Sequence, residues 1–395
     1  MAWYNFRNET PKETEEKNEV GNYSVARSTY SDPIAMRIEE NKGEGIYNFG
    51  RLNNYPDLLV ELYDTSPTHQ AVINRTALMI AGDGYDVEIN SEDLMDRVQV
   101  LMLTQYPNEQ ETLSQILAKV GRDVKLHGRY AIECIWNEAH DKVVELKHVD
   151  AGGVRIGIAD ANGNIPFYKY SEDWTTRNSE IITYSPFGKN IPGHRQLLYV
   201  QFMRSGHLYY GLPDYYASID WIELESQIGI SHSESAKNGF SPKVAVVFPA
   251  KPESENVETK IMDNLNATYS GSKGKKIMGI FSPRPELKPE IVPLNIENLH
   301  NQYMVVDGQT QNKILTGHGV VSPMLFGIKT ENGFSSNADE LLLSYNIYEK
   351  TVVNPLQMNI ENSLNKILRD SGNKNRINIL PYTLGISKTE TETEI

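Results

Sequence analysis

The sequence predicts an α+β fold, a helical layer packed on antiparallel sheet, with long helices in its second half. Three observations carry that prediction. Well-punctuated helices open the ordered part of the chain. A block of short β-branched and aromatic runs divided by turn residues comes next. From Pro213 the apolar spacing returns to a helical period and, one insertion aside, holds it to Asp370. The 395 residues suffice for two or three cores.

Residues 1–52 are polar, turn-rich and charged, with Glu13, Glu15, Glu16, Lys17 and Glu19 crowded together, and read as an extended arm with little core of its own. Order resumes at Leu58. The stretch Thr65–Gly82 is a helix with Ser66 at its N-cap, Pro67 in its first turn and Gly82 just past its end. A second helix covers Glu109–Leu126, where Leu113, Ile116, Leu117, Val120 and Val124 recur at helical spacing and Gly128 stops the run. The period then changes. Arg129–Trp136 and Lys142–Val149 flank the polar turn Asn137–Asp141 as a hairpin, and further strands are expected at Val154–Ile158, Phe167–Tyr170, Glu180–Tyr184 and Leu197–Phe202.

Pro213–Gly239 reads as a long helix whose first half carries Tyr215, Ile219, Ile222 and Ile228. Its second half, with Ser231, Ser233, Glu234, Ser235 and Lys237, is small and polar, so one end packs apolar neighbours and the other faces water. A small unit follows at Ser241–Pro293: strand Val244–Phe248, helix Ser254–Tyr269, a loop bearing Lys273, Lys275 and Lys276, and strand Lys276–Phe281. It reads as an insertion, because helical spacing returns at Ile296, Leu299, Tyr303 and Val306. The last helix, Asn337–Asp370, carries Leu341, Tyr345, Tyr348, Val352, Leu356, Ile360, Leu364 and Ile367, and Pro355 inside it should produce a kink. After Ser371 only Ile377–Leu380 is strand-like, ahead of an acidic tail. No internal repeat is present.

Composition excludes several classes of function. With 38 Lys and Arg against 52 Asp and Glu the formal charge is −14, the opposite of a protein that grips phosphates by counterion release. No apolar run approaches the ~18 residues of a membrane span, and the charged start lacks the apolar core of a secretory signal. The single cysteine, Cys134, lies in a strand-like run and reads as a buried structural thiol rather than a nucleophile.

Catalytic motifs are equally sparse. The run Gly271, Ser272, Lys273, Gly274, Lys275, Lys276 resembles a phosphate loop, but Lys276 occupies the hydroxyl position and the loop leads from helix to strand, so it reads as a basic surface loop. His140 and His148 flank a hairpin strand and read as solvated rather than as metal ligands. Glu223 with Glu225, and Asp339 with Glu340, read as exposed pairs rather than acid and base. The sequence Gly317, His318, Gly319 reads as a break between helical segments. An enzyme would need a site assembled from distant residues, and no cofactor is implied.

From residue 200 onward the order of parts resembles the portal protein of tailed bacteriophages. Tyr210, Gly211, Leu212 and Pro213 open a long helix, and Lys237, Asn238, Gly239, Phe240, Ser241 and Pro242 close it. A small αβ insertion and a second helix follow, leading into Ile314–Gly327, a short loop and a long Pro-bearing helix. Upstream, Asn54–Tyr63 and the helix opened by Ser66, Pro67, Thr68 and His69 are also similar to portal sequence. The resemblance implies a wing over 53–212, a first stem helix over 213–240 and a clip over 241–294. It implies a second stem helix and connector over 295–327, a tunnel loop over 328–336, a long wing helix over 337–370, and a final strand and tail over 371–395. A helical crown is expected to be small or absent, since only 25 residues follow Asp370.

That family implies a ring of twelve identical chains at one capsid vertex, a conduit for double-stranded DNA in packaging and ejection. The partners it implies are the large terminase subunit, a head–tail adaptor, and the major capsid or scaffolding protein. The expected location is the virion, with the host cytoplasm during assembly, and no membrane is involved. Twelve copies at −14 each carry −168, which repels DNA on average, as a sliding channel requires. The DNA-facing candidates are the tunnel-loop residues Lys329, Thr330, Glu331, Asn332, Gly333, Phe334 and Ser335, for which an ordinary solvent loop is the alternative. Ser231, Ser233, Glu234, Ser235 and Lys237 would line the stem. Val244, Val246, Phe248, Lys273, Lys275 and Lys276 would form the clip. The other reading is a non-portal structural protein of the head or an adaptor.

Overall fold

Pro56 and Asp57 start a helix earlier than the apolar spacing indicates. In the computed structural model α1 spans Tyr55–Thr65, and α2, Pro67–Ala81, follows after a single residue. Ser66 serves both, ending α1 and accepting a hydrogen bond from the His69 amide as the N-cap of α2. The structure describes residues 39–50, 52–176, 179–202, 205, 209–238, 244–248, 257, 259–261, 263–264, 277–281, 290–293, 299–328 and 338–384.

The described end of the arm departs from the sequence reading. Strands β1 (Glu40–Asn41) and β2 (Ile46–Tyr47) form a small hairpin, Ile46 bridges Gly157, and Ile46, Tyr47 and Phe49 are buried. Phe49 stacks on Tyr210 with ring centroids 4.3 Å apart. Three apolar residues in a polar surround are too few to show a period, which hides this contribution to the core.

Helix α2 ends at Gly82, φ +71°, where a Cβ would sit 2.0 Å from the Leu380 carbonyl oxygen. Strand β3 (Tyr85–Glu88) and helix α3 (Leu94–Gln105) come next. Helix α3 had no sequence signal, because it is apolar nearly all round: Leu94, Met95, Val98, Leu101 and Met102 are exposed while Val100 and Leu103 are buried. Helix α4 (Leu113–His127) has a complete capping box between Thr112 and Gln115, and it ends at Gly128 in the left-handed region.

The hairpin β4 (Arg129–Trp136) and β5 (Val143–Val149) forms as the sequence predicts, and Cys134 is fully buried in it. With β6 (Val154–Ile156), β7 (Tyr168–Tyr170), β8 (Ile182–Pro186) and β9 (Arg195–Gln201) it makes a six-stranded sheet ordered β5-β4-β9-β8-β7-β6. The sheet is mixed rather than purely antiparallel. Ser185 and Pro186 of β8 pair in parallel with Gln196 and Leu197 of β9, and Pro186 is tolerated because the next amide, of Phe187, gives the hydrogen bond to the Leu197 carbonyl at 3.0 Å.

A short 3₁₀ turn, Asp214–Ser218, leads into α5 (Ile219–Asn238). The inserted unit contributes β10 (Val244–Phe248), β11 (Ile277–Phe281) and β12 (Glu290–Pro293). Here β10 is the central strand, parallel to β11 and antiparallel to β12. Helix α6 (Leu299–Gly317) returns along α5.

The last long helix is not α-helical throughout, and the irregularity lies just ahead of Pro355. Helix α7 (Ala338–Tyr348) passes through a π turn, Glu349–Val353, into α8 (Asn354–Asp370). The Asn354 amide bonds the Glu349 carbonyl five residues back. The wider turn provides for Pro355, which has no N–H and whose ring opposes the carbonyl four residues back. Strand β13 (Arg376–Ile379) pairs antiparallel with β3, joining the two ends of the chain.

One core cluster lies between α2, α4, the β4–β5 face and α8, with Ile80, Ile116, Val120, Ile132, Leu146, Ile360 and Leu364 at its centre. A second joins the hairpin and α1 to the starts of α5 and the end of α6 through Phe49, Leu59, Tyr210, Tyr215, Ile222 and Ile314.

Candidate functional site

The paired helices α5 and α6 reach the body at one polar junction, built from their inner ends. The Ser218 hydroxyl donates to the Lys313 carbonyl at 3.1 Å, and Gly317 packs so closely on Ser218 that a Cβ there would lie 2.0 Å from Oγ. Helix α6 stops at that glycine, and the next residue, His318, turns wholly inward. Its Nε2 lies 2.8 Å from Nδ1 of His69 on α2, and the Tyr215 ring closes over both imidazoles, with centroids 4.4 and 4.8 Å away.

Beside them stands Lys125, near the end of α4 and 1% exposed. Its Nζ donates to Asp214 Oδ2 at 2.5 Å and approaches the His318 carbonyl at 3.4 Å. Burial opposes the lysine's charge, but Asp214 and Tyr348 outweigh it and hold the amine above its ordinary value. The imidazoles move the other way. Burial, helped by the Lys125 charge, lowers His69 to about 3 and carries His318 well below its usual range, the latter also through His69. Both are therefore neutral at physiological pH, one donating to the other. Tyr348, just before the π turn, hydrogen-bonds Thr76 of α2 at 2.8 Å. A pocket of about 250 Å³ lined by Lys125, Gly128, Phe202, Asp214 and Leu356 lies on the Lys125–Asp214 side of this junction.

On the α5 side, Glu225 accepts from the hydroxyls of Ser66 and Thr68, the latter at 2.5 Å, and so fixes α5 to the N-terminus of α2. The exposed pair expected at Glu223 and Glu225 is therefore split: Glu223 is exposed, Glu225 is a half-buried helix cap. His148 is also not solvated. Its Nε2 lies 2.9 Å from Asp123; burial opposes the imidazolium, but Asp123 outweighs that and raises its pKa. His140 stacks on Trp136 at 4.6 Å.

A second buried charge centre ties the hairpin to the sheet. Arg155 Nε donates to Asn53 Oδ1 at 2.5 Å, and burial lowers the guanidinium to about 10. Arg129, also fully buried, donates to the Ala151 carbonyl at 3.1 Å and lies 4.5 Å over the Phe49 ring. Among the described residues no group of three or more His, Cys, Asp or Glu converges as for a metal, and no helix is long and apolar enough to cross a membrane. The arrangement is a mechanical anchor: Lys125 with Asp214, His69 with His318 and Glu225 with Ser66 and Thr68 hold the inner ends of the helices to one another.

Of the residues singled out in the sequence, Ser231, Ser233, Glu234, Ser235 and Lys237 lie on the outer half of α5, where Ser233 is exposed. Val244, Val246 and Phe248 share the central strand β10. Lys273, Lys275 and Lys276, and the loop residues Lys329, Thr330, Glu331, Asn332, Gly333, Phe334 and Ser335, lie outside the described residues. The junction of His69, Lys125, Asp214 and His318 was missed. Its only sequence sign is a histidine between two glycines at a helix break.

The model of the phage portal protein family matches residues 72–394, and the chain belongs to that family. It is a portal protein, and portal proteins form oligomeric rings at the capsid vertex of the virion. Among solved structures it is similar to the neck of an empty gene transfer agent particle, with a TM-score of 0.56 at 15% identity over 81% of this chain and 82% of that one. The native gene transfer agent virion gives 0.55 at 14%, covering 82% and 83%. An HK97-family phage portal protein from Corynebacterium diphtheriae gives 0.51 at 10%, covering 81% and 95%. No curated protein matches the chain.

Proposed function

We propose that twelve copies of this chain close into a channel for double-stranded DNA, entered during packaging and left during ejection. The observation that carries the reading is the antiparallel pair α5 and α6, which leaves the body at the His69–His318 junction, bears the β10–β12 sheet and returns. Paired helices of this kind suit a ring whose copies touch head to tail. In this reading residues 53–212 and 337–370 are the wing, 213–240 and 295–327 the stem with its connector, 241–294 the clip and 328–336 the tunnel loop. The large terminase subunit and the head–tail adaptor dock at the clip in turn, and the major capsid or scaffolding protein meets the wing. Assembly takes place in the host cytoplasm, and ATP is consumed by the separate motor, since this chain offers no catalytic constellation in its sequence.

The acidic total favours sliding over binding. The small polar half of α5 supports a wet inner wall. Negative-stain microscopy of the purified chain tests the assembly: a closed twelve-fold ring with a central channel is expected, and a strict monomer at micromolar concentration, still monomeric in virions, would overturn it. A non-portal adaptor would give no channel. Deleting residues 250–275 should spare the body's fold and abolish packaging, and normal packaging in that variant would remove the clip assignment.

A further inference from the structure

Between the C-terminal half of α8, the start of β13 and Val200 of β9 lies a groove of about 720 Å³. In an acidic chain its lining is unusual: Lys366, Arg369, Lys374 and Arg376 with five asparagines, and no carboxylate. Among the described residues Lys366, Lys374 and Arg376 have no carboxylate partner, and Arg369, 73% exposed, has only its neighbour Asp370 at 3.5 Å. Asn375 is 2% exposed, yet its Nδ2 has no partner; its Oδ1 accepts from the Asn90 and Ser91 amides. A buried amide donor in a cationic groove needs an acceptor.

We infer that this groove is the docking site of the chain's own acidic tail, Thr389–Glu394. The tail alternates Thr with Glu390, Glu392 and Glu394, so in extended form all three carboxylates share one face, about 7 Å apart. Lys374 and Arg376 stand two residues apart at the mouth of β13 and present the same spacing, while Lys366 and Arg369 lie three apart on one face of α8. The asparagines favour a peptide over a duplex. Asn365 already holds both backbone groups of Ile377, giving Nδ2–H to its carbonyl and taking its N–H, each at 2.9 Å, as a strand partner would.

The tail is also long enough. Tyr382 is bonded to Tyr345, ahead of the π turn, and the far end of the groove at Arg369 lies about 36 Å away along the helix. Residues 383–394 extended span about 40 Å. The acidic arm is worse placed, because Glu19 precedes the first described residue, Glu39, by 20 residues, whereas Glu390 follows the last, Leu384, by six, and the longer closure costs more chain entropy.

The test uses the full chain with a photo-crosslinking benzoylphenylalanine at Thr391. Adducts are expected on residues 359–376. R369E with K374E, both at exposed positions, should cut their yield about fivefold, as two surface pairs would, and changing Glu390 and Glu392 to Lys in that background should restore it. Adducts elsewhere, or a yield indifferent to these charges, would overturn the inference. So would a labelled DNA duplex that binds with the same dependence on Arg369 and Lys374 while the tail crosslinks elsewhere, which would make the groove a phosphate site.

Discussion

Acidification should loosen the junction of His69 and His318, and by an amount that follows from its burial. Each imidazole is neutral in the fold, with His69 lowered to about 3 against an ordinary 6.5. The unfolded chain therefore binds protons below pH 6.5 that the fold refuses. The stability is complete above that value and is lost as pH falls below 6.5, for His69 as far as about 3, at about 1.4 kcal/mol per unit for a histidine that stays neutral in the fold. From pH 7 to pH 5 the pair loses up to about 4 kcal/mol. His127, buried and also lowered to about 3, adds to the loss in the same direction. His148 opposes it: its raised pKa gives stability that is present below 6.5 and lost as pH rises through the folded value. The assay is denaturant unfolding at fixed subunit concentration at pH 7, 6 and 5, for the wild type and for His69→Leu with His318→Leu. The double variant should lose about 4 kcal/mol less across the range. Equal losses in both proteins would refute the argument, because the protons would then be binding elsewhere.

Other substitutions test single contacts. Glu225→Ala removes the acceptor for Ser66 and Thr68 at the start of α2 and should lower stability by about 1–2 kcal/mol, read as a lowered melting temperature. Gly128→Ala places a Cβ 2.5 Å from the Leu212 carbonyl at φ +69° and should cost about 3 kcal/mol or more, whereas Gly163→Ala, at φ +83° with open space around it, should cost only about 1. Lys329→Ala should leave ring assembly unchanged by microscopy and alter DNA retention in filled heads, and Phe334→Ala should raise protease sensitivity at that loop. Unchanged retention would count against a DNA-facing role for Lys329.

Legibility in the sequence followed the range of the interactions. Helix α2 was readable because Ser66, Pro67 and Gly82 act on their own neighbours, and the β4–β5 hairpin because its turn is local. The pairing of β3 with β13 joins segments nearly 300 residues apart, and the four residues Tyr85–Glu88 have too little apolar character to announce a strand. His69 and His318 meet across 249 residues, and nothing near either one signals a partner. Helix α3 was hidden by an excess of apolar residues, its outer face being left uncovered in the single chain. The π turn was present in the sequence in a subtler form. The apolar positions Tyr348, Val352, Leu356, Ile360 and Leu364 are spaced by four throughout, and at 3.6 residues per turn each such step overshoots by about 40°.

That overshoot gives the widened turn at Glu349–Val353 a meaning as a phase setter. One residue beyond the α count turns everything after it by about 100°, so α7 and α8 do not share an angular origin. Residue number and facing direction are thereby uncoupled at one place only. A single-residue deletion within 349–353 would rotate Leu341 and Tyr345 relative to Ile360, Leu364 and Ile367 by about 100°, so that only one of the two stripes could still meet the core. The same deletion one turn into α8 would keep the π turn and instead rotate Ile360, Leu364 and Ile367 away from the face that Leu356 shares with them. Length changes in this helix are thus not interchangeable, and the five residues before Asn354 are where the helix keeps its angular register.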